Sequence, residues 1–497
     1  MLHFILGKAG CGKTHALYEI LKSQNLGNTA LMVVPEQASF ETERTMLSLP
    51  EEQRCEVFSF TRLCHRVFQT YGGIAGTPIT GEEKVLLMAR SVEEAGEELK
   101  LYRKQAKRVE FLNHLLTLVA ECRFKGITPQ HLQMTAARVP SPGLSQKLKE
   151  IALIAGIYHR LVEEGYNDPD LQLDKAKKIL EDKDFWQGKT LLIDGFSNFI
   201  FPQKQLIYQM IQQAKDVYIT LCADNPHSSN QFELFANTKD VVREFKQKAT
   251  ELGVQVEIHP VLLTNHRAKS PALTIMERVL AGEDFSLEEQ GNDIMICGCT
   301  DQYDQADRIA CAIVNLVRKE GFRYREITVL ARKEEQLLPL QFALARYGLP
   351  YFTDKALPFA TGPLAVFCQN ALQLMEKGWD TQTLLSLIKT GLTSLSSEEI
   401  SLLEDYTFTW STKGREWLGE FTHHPYSAKE PTPALTARLN HLRLQVISPL
   451  LSLKEAFGKA KTCKQFATAL YTYLQTAGAL TGAQALGQKF LQGEDSF

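Results

Sequence analysis

Eight residues near the start of the chain have the types and spacing to hold a phosphate group: Gly7-Lys8-Ala9-Gly10-Cys11-Gly12-Lys13-Thr14. Glycines at 7, 10 and 12 let a backbone wrap closely round phosphate oxygens, so that successive N–H groups point inward. In such a loop Lys13 reaches the β- and γ-phosphates of ATP and the Thr14 hydroxyl binds Mg²⁺. Cys11 reads as a small residue tolerated in the turn. The rival reading is a chance match to the spacing. Against it, an apolar run over Leu2–Leu6 precedes the loop and helical spacing at Ala16, Leu17, Ile20 and Leu21 follows it.

Such a loop needs a second element, an apolar strand that ends in an acid. Thr190-Leu191-Leu192-Ile193-Asp194 fits, with Asp194 set to hold the metal through water. The next residue is Gly195, where hydrolysing proteins of this kind carry a glutamate that polarises the attacking water. Phosphate and metal binding survive that change, while a main source of rate is lost. The competing view is a buried strand that happens to end in an Asp-Gly turn.

These residues require a sheet to position them, and the sequence predicts one. Residues 1–60 read as β–α–β–α–β, with strands over Leu2–Leu6, Thr29–Val34 and Glu56–Phe60. Continuous apolar strands alternating with helices imply a parallel sheet covered on both faces. Helical periodicity takes over between about 71 and 187, clearest in Leu144–Leu161. Strand signals resume at Thr190–Asp194, Val217–Cys222 and Val254–Ile258. One α/β domain (1–70 with 188–292) interrupted by a helical insertion (71–187) is therefore expected. A second α/β unit (293–361) is expected from strands over Ile294–Gly298 and Ile327–Ala331 with helices over Asp304–Lys319 and Leu337–Tyr347. From 362 to 497 the chain reads as helical, with the second unit left unfinished.

The 497 residues exceed one ordinary core, and 44% hydrophobic with 23% charged residues is the composition of a folded globular protein. A formal net charge of −3 shows no global basic excess, although a locally basic channel can sit in a neutral protein. The ten cysteines include no CxxC, which fits a reduced cytoplasmic protein. Cys297 and Cys299 lack the further ligands a metal would need and read as structural. Nothing resembles a signal peptide, and no apolar run approaches the roughly 20 residues of a membrane span.

Other segments resemble the superfamily-1, UvrD-like helicases. Val217–Asp224 is similar to the strand bearing their Gly-Asp-x-x-Gln sensor, but the run here is Ala223-Asp224-Asn225-Pro226-His227, with His227 in place of glutamine. Only six residues precede Gly7, which leaves no room for the glutamine motif that reads adenine in that superfamily. Gln302–Ala331 resembles the entry to the second motor domain, with Arg332 as the arginine facing the nucleotide cleft. The implied fold is a P-loop NTPase of α/β class with helical insertions and a degenerate motor.

A narrower resemblance rests on four further runs. They are Val34-Pro35-Glu36-Gln37-Ala38-Ser39-Phe40-Glu41, Val57-Phe58-Ser59-Phe60-Thr61-Arg62-Leu63, Ile193-Asp194-Gly195-Phe196-Ser197-Asn198-Phe199 and Leu387-Ile388-Lys389-Thr390-Gly391-Leu392. Their order and content are similar to the AddB/RexB family, whose members are the B subunits of the AddAB helicase–nuclease. The resemblance implies a partner AddA-like motor subunit, single- and double-stranded DNA as substrates, and a role in double-strand break repair by homologous recombination. It implies recognition of the Chi sequence, and a C-terminal nuclease with an iron–sulfur cluster in many members. Nothing in these residues resembles the nuclease acids or cluster cysteines, so the chain reads as an N-terminal portion. Candidate DNA contacts are Gln37, Ser39, Phe60, Arg62, His65, Phe196 and Phe199. Core roles compete for the three phenylalanines, and a solvated face competes with backbone tracking for the basic run Tyr102–Arg108. An autonomous helicase motor and a non-catalytic structural partner are the alternative functions.

Overall fold

Six short runs assemble one parallel sheet, and central ones such as Ala30–Val33 and Leu191–Ile193 have apolar side chains that need cover on both faces. In chain order the strands are β1 (Leu2–Gly7), β2 (Ala30–Val33), β3 (Glu56–Phe58), β4 (Thr77–Pro78), β5 (Tyr166–Asn167), β6 (Thr190–Ile193), β7 (Asp216–Cys222) and β8 (Val256–Ile258). β4 and β5 pair only with each other, and the other six run in the order β3-β2-β6-β7-β1-β8. The computed structural model describes the chain apart from residues 74, 106–107, 225–233, 268–269, 281–292, 354–358, 428 and 495–497. Contacts divide the chain into two units, Met1–Ile296 and Cys297–Phe497.

Period-two alternation sorts the strand residues onto two faces. Leu2, Phe4, Leu6, Leu31, Val33, Leu191 and Ile193 enter one core, closed by the helices Phe60–Tyr71, Phe201–Gln213 and Ala236–Glu251. Ile5, Ala30, Met32 and Leu192 enter the other, closed by Leu17 and Leu21 of the helix Lys13–Ser23 and by Met46. The third strand stops two residues earlier than the sequence predicts. Ser59 caps the following helix, its hydroxyl accepting from the Arg62 N–H, and Phe60 becomes the first helical residue.

The helices Gly81–Ala95, Val109–Phe124 and Pro142–Glu163 form a separate core around Met88, Leu115, Ile154 and Leu161. Glu150 is buried there, accepting the N–H groups of Lys100, Leu101 and Tyr102 and the Gln146 amide. That carboxylate fixes the start of the basic run, of which 106 and 107 lie outside the described residues.

In the second unit the helices Gln302–Lys319 and Leu337–Arg346 pack through Ala306, Ala310, Leu340 and Ala343. The two strands expected beside them do not form. Segments 294–298 and 327–331 join no ladder among the described residues. Apolar sequence alone does not make a strand; it needs a paired neighbour. Met295, Ile296 and Leu330 are accordingly 85%, 95% and 91% exposed. From Pro363 to Glu494 the unit is helical, as expected, around a core that includes Phe367, Leu384, Trp417 and Leu450.

Candidate functional site

Parallel strands deliver all their carboxyl ends to one edge, and ligands of open α/β sheets bind there. At that edge β1 ends in Gly7 and the loop beyond it enters the helix Lys13–Ser23. Gly10 has φ +79°, and a Cβ there would stand 2.6 Å from Asn265 Oδ1. Lys13 Nζ donates to the Gly7 carbonyl at 2.9 Å and the Lys8 carbonyl at 2.8 Å.

Asp194 leaves the end of β6, one strand removed from β1 across β7. The carboxylate is buried, and both oxygens are engaged. Oδ2 accepts from the Thr14 hydroxyl at 2.7 Å, and Oδ1 accepts from the Thr220 hydroxyl of β7. Burial, then the negative charge of Asp194, pushes the Tyr18 hydroxyl above its ordinary pKa and keeps it neutral. Gly195 follows with φ +80°, and a Cβ on it would come within 3.2 Å of Pro35. The glycine is therefore dictated by the turn itself.

Gly10, Lys13, Thr14, Asp194, Gly195 and Thr220 line a cavity of about 710 Å³, together with Phe196, Ser197, Cys222, His266 and Arg267. The residues suit a magnesium nucleotide. Thr14 and Asp194 offer the hard oxygen donors that Mg²⁺ selects, and Lys13 supplies a cation beside the glycine-rich loop. A larger cavity of about 1090 Å³ in the second unit is lined by Lys389, Glu404 and several hydroxyls. There Lys389 is already paired with Glu404.

Asn265, His266 and Arg267 escape the sequence reading. The chain beyond β8 bends back so that the His266 N–H donates to the Gly10 carbonyl at 2.9 Å, and Arg267 opens into the cavity. Asn265 is braced by Glu277 at 3.0 Å. The only signal was a polar triplet shortly after a predicted strand. Asp224 of the expected sensor pairs with the buried Lys239 at 2.9 Å. His227 lies outside the described residues. Arg332 is exposed in the second unit and is not among the residues lining this cavity.

The candidate DNA contacts share the same sheet edge, on the β2, β3 and β6 side. Gln37, Arg62 and His65 are exposed, and Arg62 pairs with Glu43. Ser39 is buried, its hydroxyl donating to the Glu36 carbonyl at 2.8 Å. Phe60 and Phe199 are buried in the core, while half-buried Phe196 touches both, with ring centroids 5.4 and 5.0 Å away. Phe40, on the same helix as Gln37, is 77% exposed and was not singled out by sequence.

A protein-family profile described as "ADDB, N-terminal" matches residues 4–277. The B subunit of the ATP-dependent helicase/deoxyribonuclease of Acetivibrio thermocellus is 29% identical over 96% of this chain, and that of Caldanaerobacter subterraneus subsp. tengcongensis is 28% identical over 95%. The protein of the same name from Clostridium perfringens is 27% identical over 96% of the chain. These matches take in 43%, 42% and 43% of the relatives, so the chain spans less than half of their length. No helix among the described residues is long and apolar enough to cross a membrane.

Proposed function

The chain belongs to the AddB family, and from that premise we propose that it forms the helicase-like N-terminal part of the B subunit of a heterodimeric ATP-dependent helicase–exonuclease. It binds ATP and Mg²⁺ at the β1 loop and single-stranded DNA along the adjoining edge, and it is not the motor. Its motor partner is an AddA-like subunit. The fold is then a UvrD-like P-loop fold, with 1–70 and 188–292 as the first motor-like domain and 71–187 as its insertion. Residues 293–361 correspond to the second motor-like domain and 362–497 to its helical insertion.

One observation carries this reading. Lys13, Thr14 and Asp194 converge on one cavity, while the position after Asp194 is held by a left-handed glycine. Bound nucleotide with its ion supplies a charged, hydrogen-bonding ligand. The chain's own residues do the rest: loop N–H groups and Lys13 hold the phosphates, Thr14 and Asp194 orient the cation, and Arg267 adds a second positive charge. No carboxylate stands after Asp194 to take a proton from water, so binding is retained where turnover is not.

Lys13→Ala and Arg267→Ala each remove a charge-assisted contact, and each should weaken a fluorescent ATP analogue roughly tenfold to a hundredfold. Steady ATP turnover by the full chain, stimulated by DNA and abolished by Lys13→Ala, would favour an autonomous motor and sink the non-motor reading.

We assign reading of the Chi sequence to the edge that carries Gln37 and Arg62. Both are exposed, so their alanine variants leave the core intact, whereas Phe60→Ala would cost about 3–5 kcal/mol of stability and confuse the result. Gln37→Ala and Arg62→Ala should reduce preference for the family's target sequence more than affinity for random single strands. Equal losses on both would count against sequence reading. A salt-dependent affinity worth several phosphates would exclude a purely structural partner.

A further inference from the structure

β8 is the outermost strand on the β1 side of the sheet, three residues long and paired with Leu2–Phe4. Three side chains of this pairing bring ligand atoms to one place: His3 on β1, Glu257 on β8 and His259 immediately after it. His3 Nδ1 lies 3.0 Å from Glu257 Oε2 and 3.3 Å from His259 Nε2. A ring nitrogen carries at most one proton, so hydrogen bonding satisfies this trio of electron-rich atoms only in part. Bonds of about 2.0–2.1 Å to a tetrahedral ion set adjacent ligand atoms roughly 3.3 Å apart, close to the two spacings from His3, and all three ligand atoms lie within 4.8 Å of one another.

The far side of the His3 ring agrees. Its Nε2 faces Asp216 Oδ1 at 3.5 Å, and the ring stacks on Tyr218 with centroids 4.2 Å apart and planes 10° from parallel. A carboxylate on the opposite ring nitrogen is the usual means of fixing the tautomer and orientation of a metal-bound imidazole. His3 is buried, His259 half-buried and Glu257 exposed, so an ion can enter from solvent.

We propose that His3, Glu257 and His259 bind a divalent transition-metal ion of the zinc class. Two imidazoles and one carboxylate suit Zn²⁺ or Co²⁺, whereas Mg²⁺ and Ca²⁺ prefer all-oxygen sets. The ion ties the short edge strand β8 to β1. The chain runs on from His259 to Leu262, whose N–H donates to the Leu6 carbonyl at 2.8 Å, and then to the Asn265–Arg267 cover of the cavity. The clamp thus secures the strand from which that cover springs. It does not depend on the nucleotide reading, because its ligands lie at the opposite end of β1.

The test uses the full chain, stripped with chelator and titrated with Zn²⁺ in a calorimeter. A Cys297→Ser/Cys299→Ser background removes the closely spaced pair of thiols as competitors. One ion per chain is expected. Glu257→Gln and His259→Asn, with folding checked by circular dichroism, should each weaken binding at least about tenfold, and Asp216→Asn by about tenfold. Co²⁺ should give the spectrum of nitrogen and oxygen ligation without a thiolate charge-transfer band. Substoichiometric binding, binding unchanged in the Glu257→Gln/His259→Asn double variant, or a persistent thiolate band would each overturn the proposal.

Discussion

At Gly195 the backbone itself disfavours a side chain. Its φ of +80° lies where side chains are disfavoured, and a Cβ there would press on Pro35 at 3.2 Å. Placing there the glutamate that a hydrolysing site would carry therefore strains the turn. Gly195→Ala should lower stability by about 1–2 kcal/mol, read as an earlier urea midpoint. Gly195→Glu should destabilise at least as much and leave ATP turnover at the unmodified level. A stable Gly195→Glu chain with brisk turnover would refute this account. The sequence disclosed that a glycine stood here, but only the φ angle and the approach of Pro35 explain why.

The central strands of the sheet could be read from sequence because burial on both faces leaves them continuously apolar, as in Ala30–Val33 and Leu191–Ile193. The same apolar signal misled at 294–298 and 327–331, where no ladder partner is found among the described residues. Asn265–Arg267 was unreadable for a different reason. Its place over Gly10 is set by β8 docking on β1, a contact between segments some 250 residues apart. Glu150 is a similar long-range anchor, holding the backbone of 100–102 to the helix Pro142–Glu163. Burial pushes its pKa up, but the Gln146 amide and the three N–H groups outweigh that and hold it below the ordinary value. Its stabilising contribution is thus complete above the ordinary glutamate pKa, about 4.3, and is lost as pH falls through the depressed value. Glu150→Ala should cost about 1.5–3 kcal/mol near pH 7, and the gap from the parent should close on acidification. A gap that stays constant down to pH 3.5 or so would rule out the carboxylate as its source.

Each unit has its own principal hydrophobic core, one around Leu6, Ile193 and Phe245 and one around Phe367, Trp417 and Leu450, and the two share no members. The division between Met1–Ile296 and Cys297–Phe497 follows the same line. Units with separate cores are expected to unfold as separate cooperative steps. The residues that line the proposed nucleotide cavity belong to the first of them. A ligand that binds only the folded form stabilises by about 2.7 kcal/mol at a hundred times its Kd. Differential scanning calorimetry should therefore show two transitions, of which magnesium ATP raises one and leaves the other in place. Lys13→Ala should abolish that selective shift without moving either transition in the absence of nucleotide by more than a degree or two, since Lys13 donates to loop carbonyls at the rim of the cavity. A single transition that moves as a whole with ATP would mean that the two cores are energetically one. Binding at the sheet edge would then be transmitted to the helical unit, and the independence argued from their cores would fail.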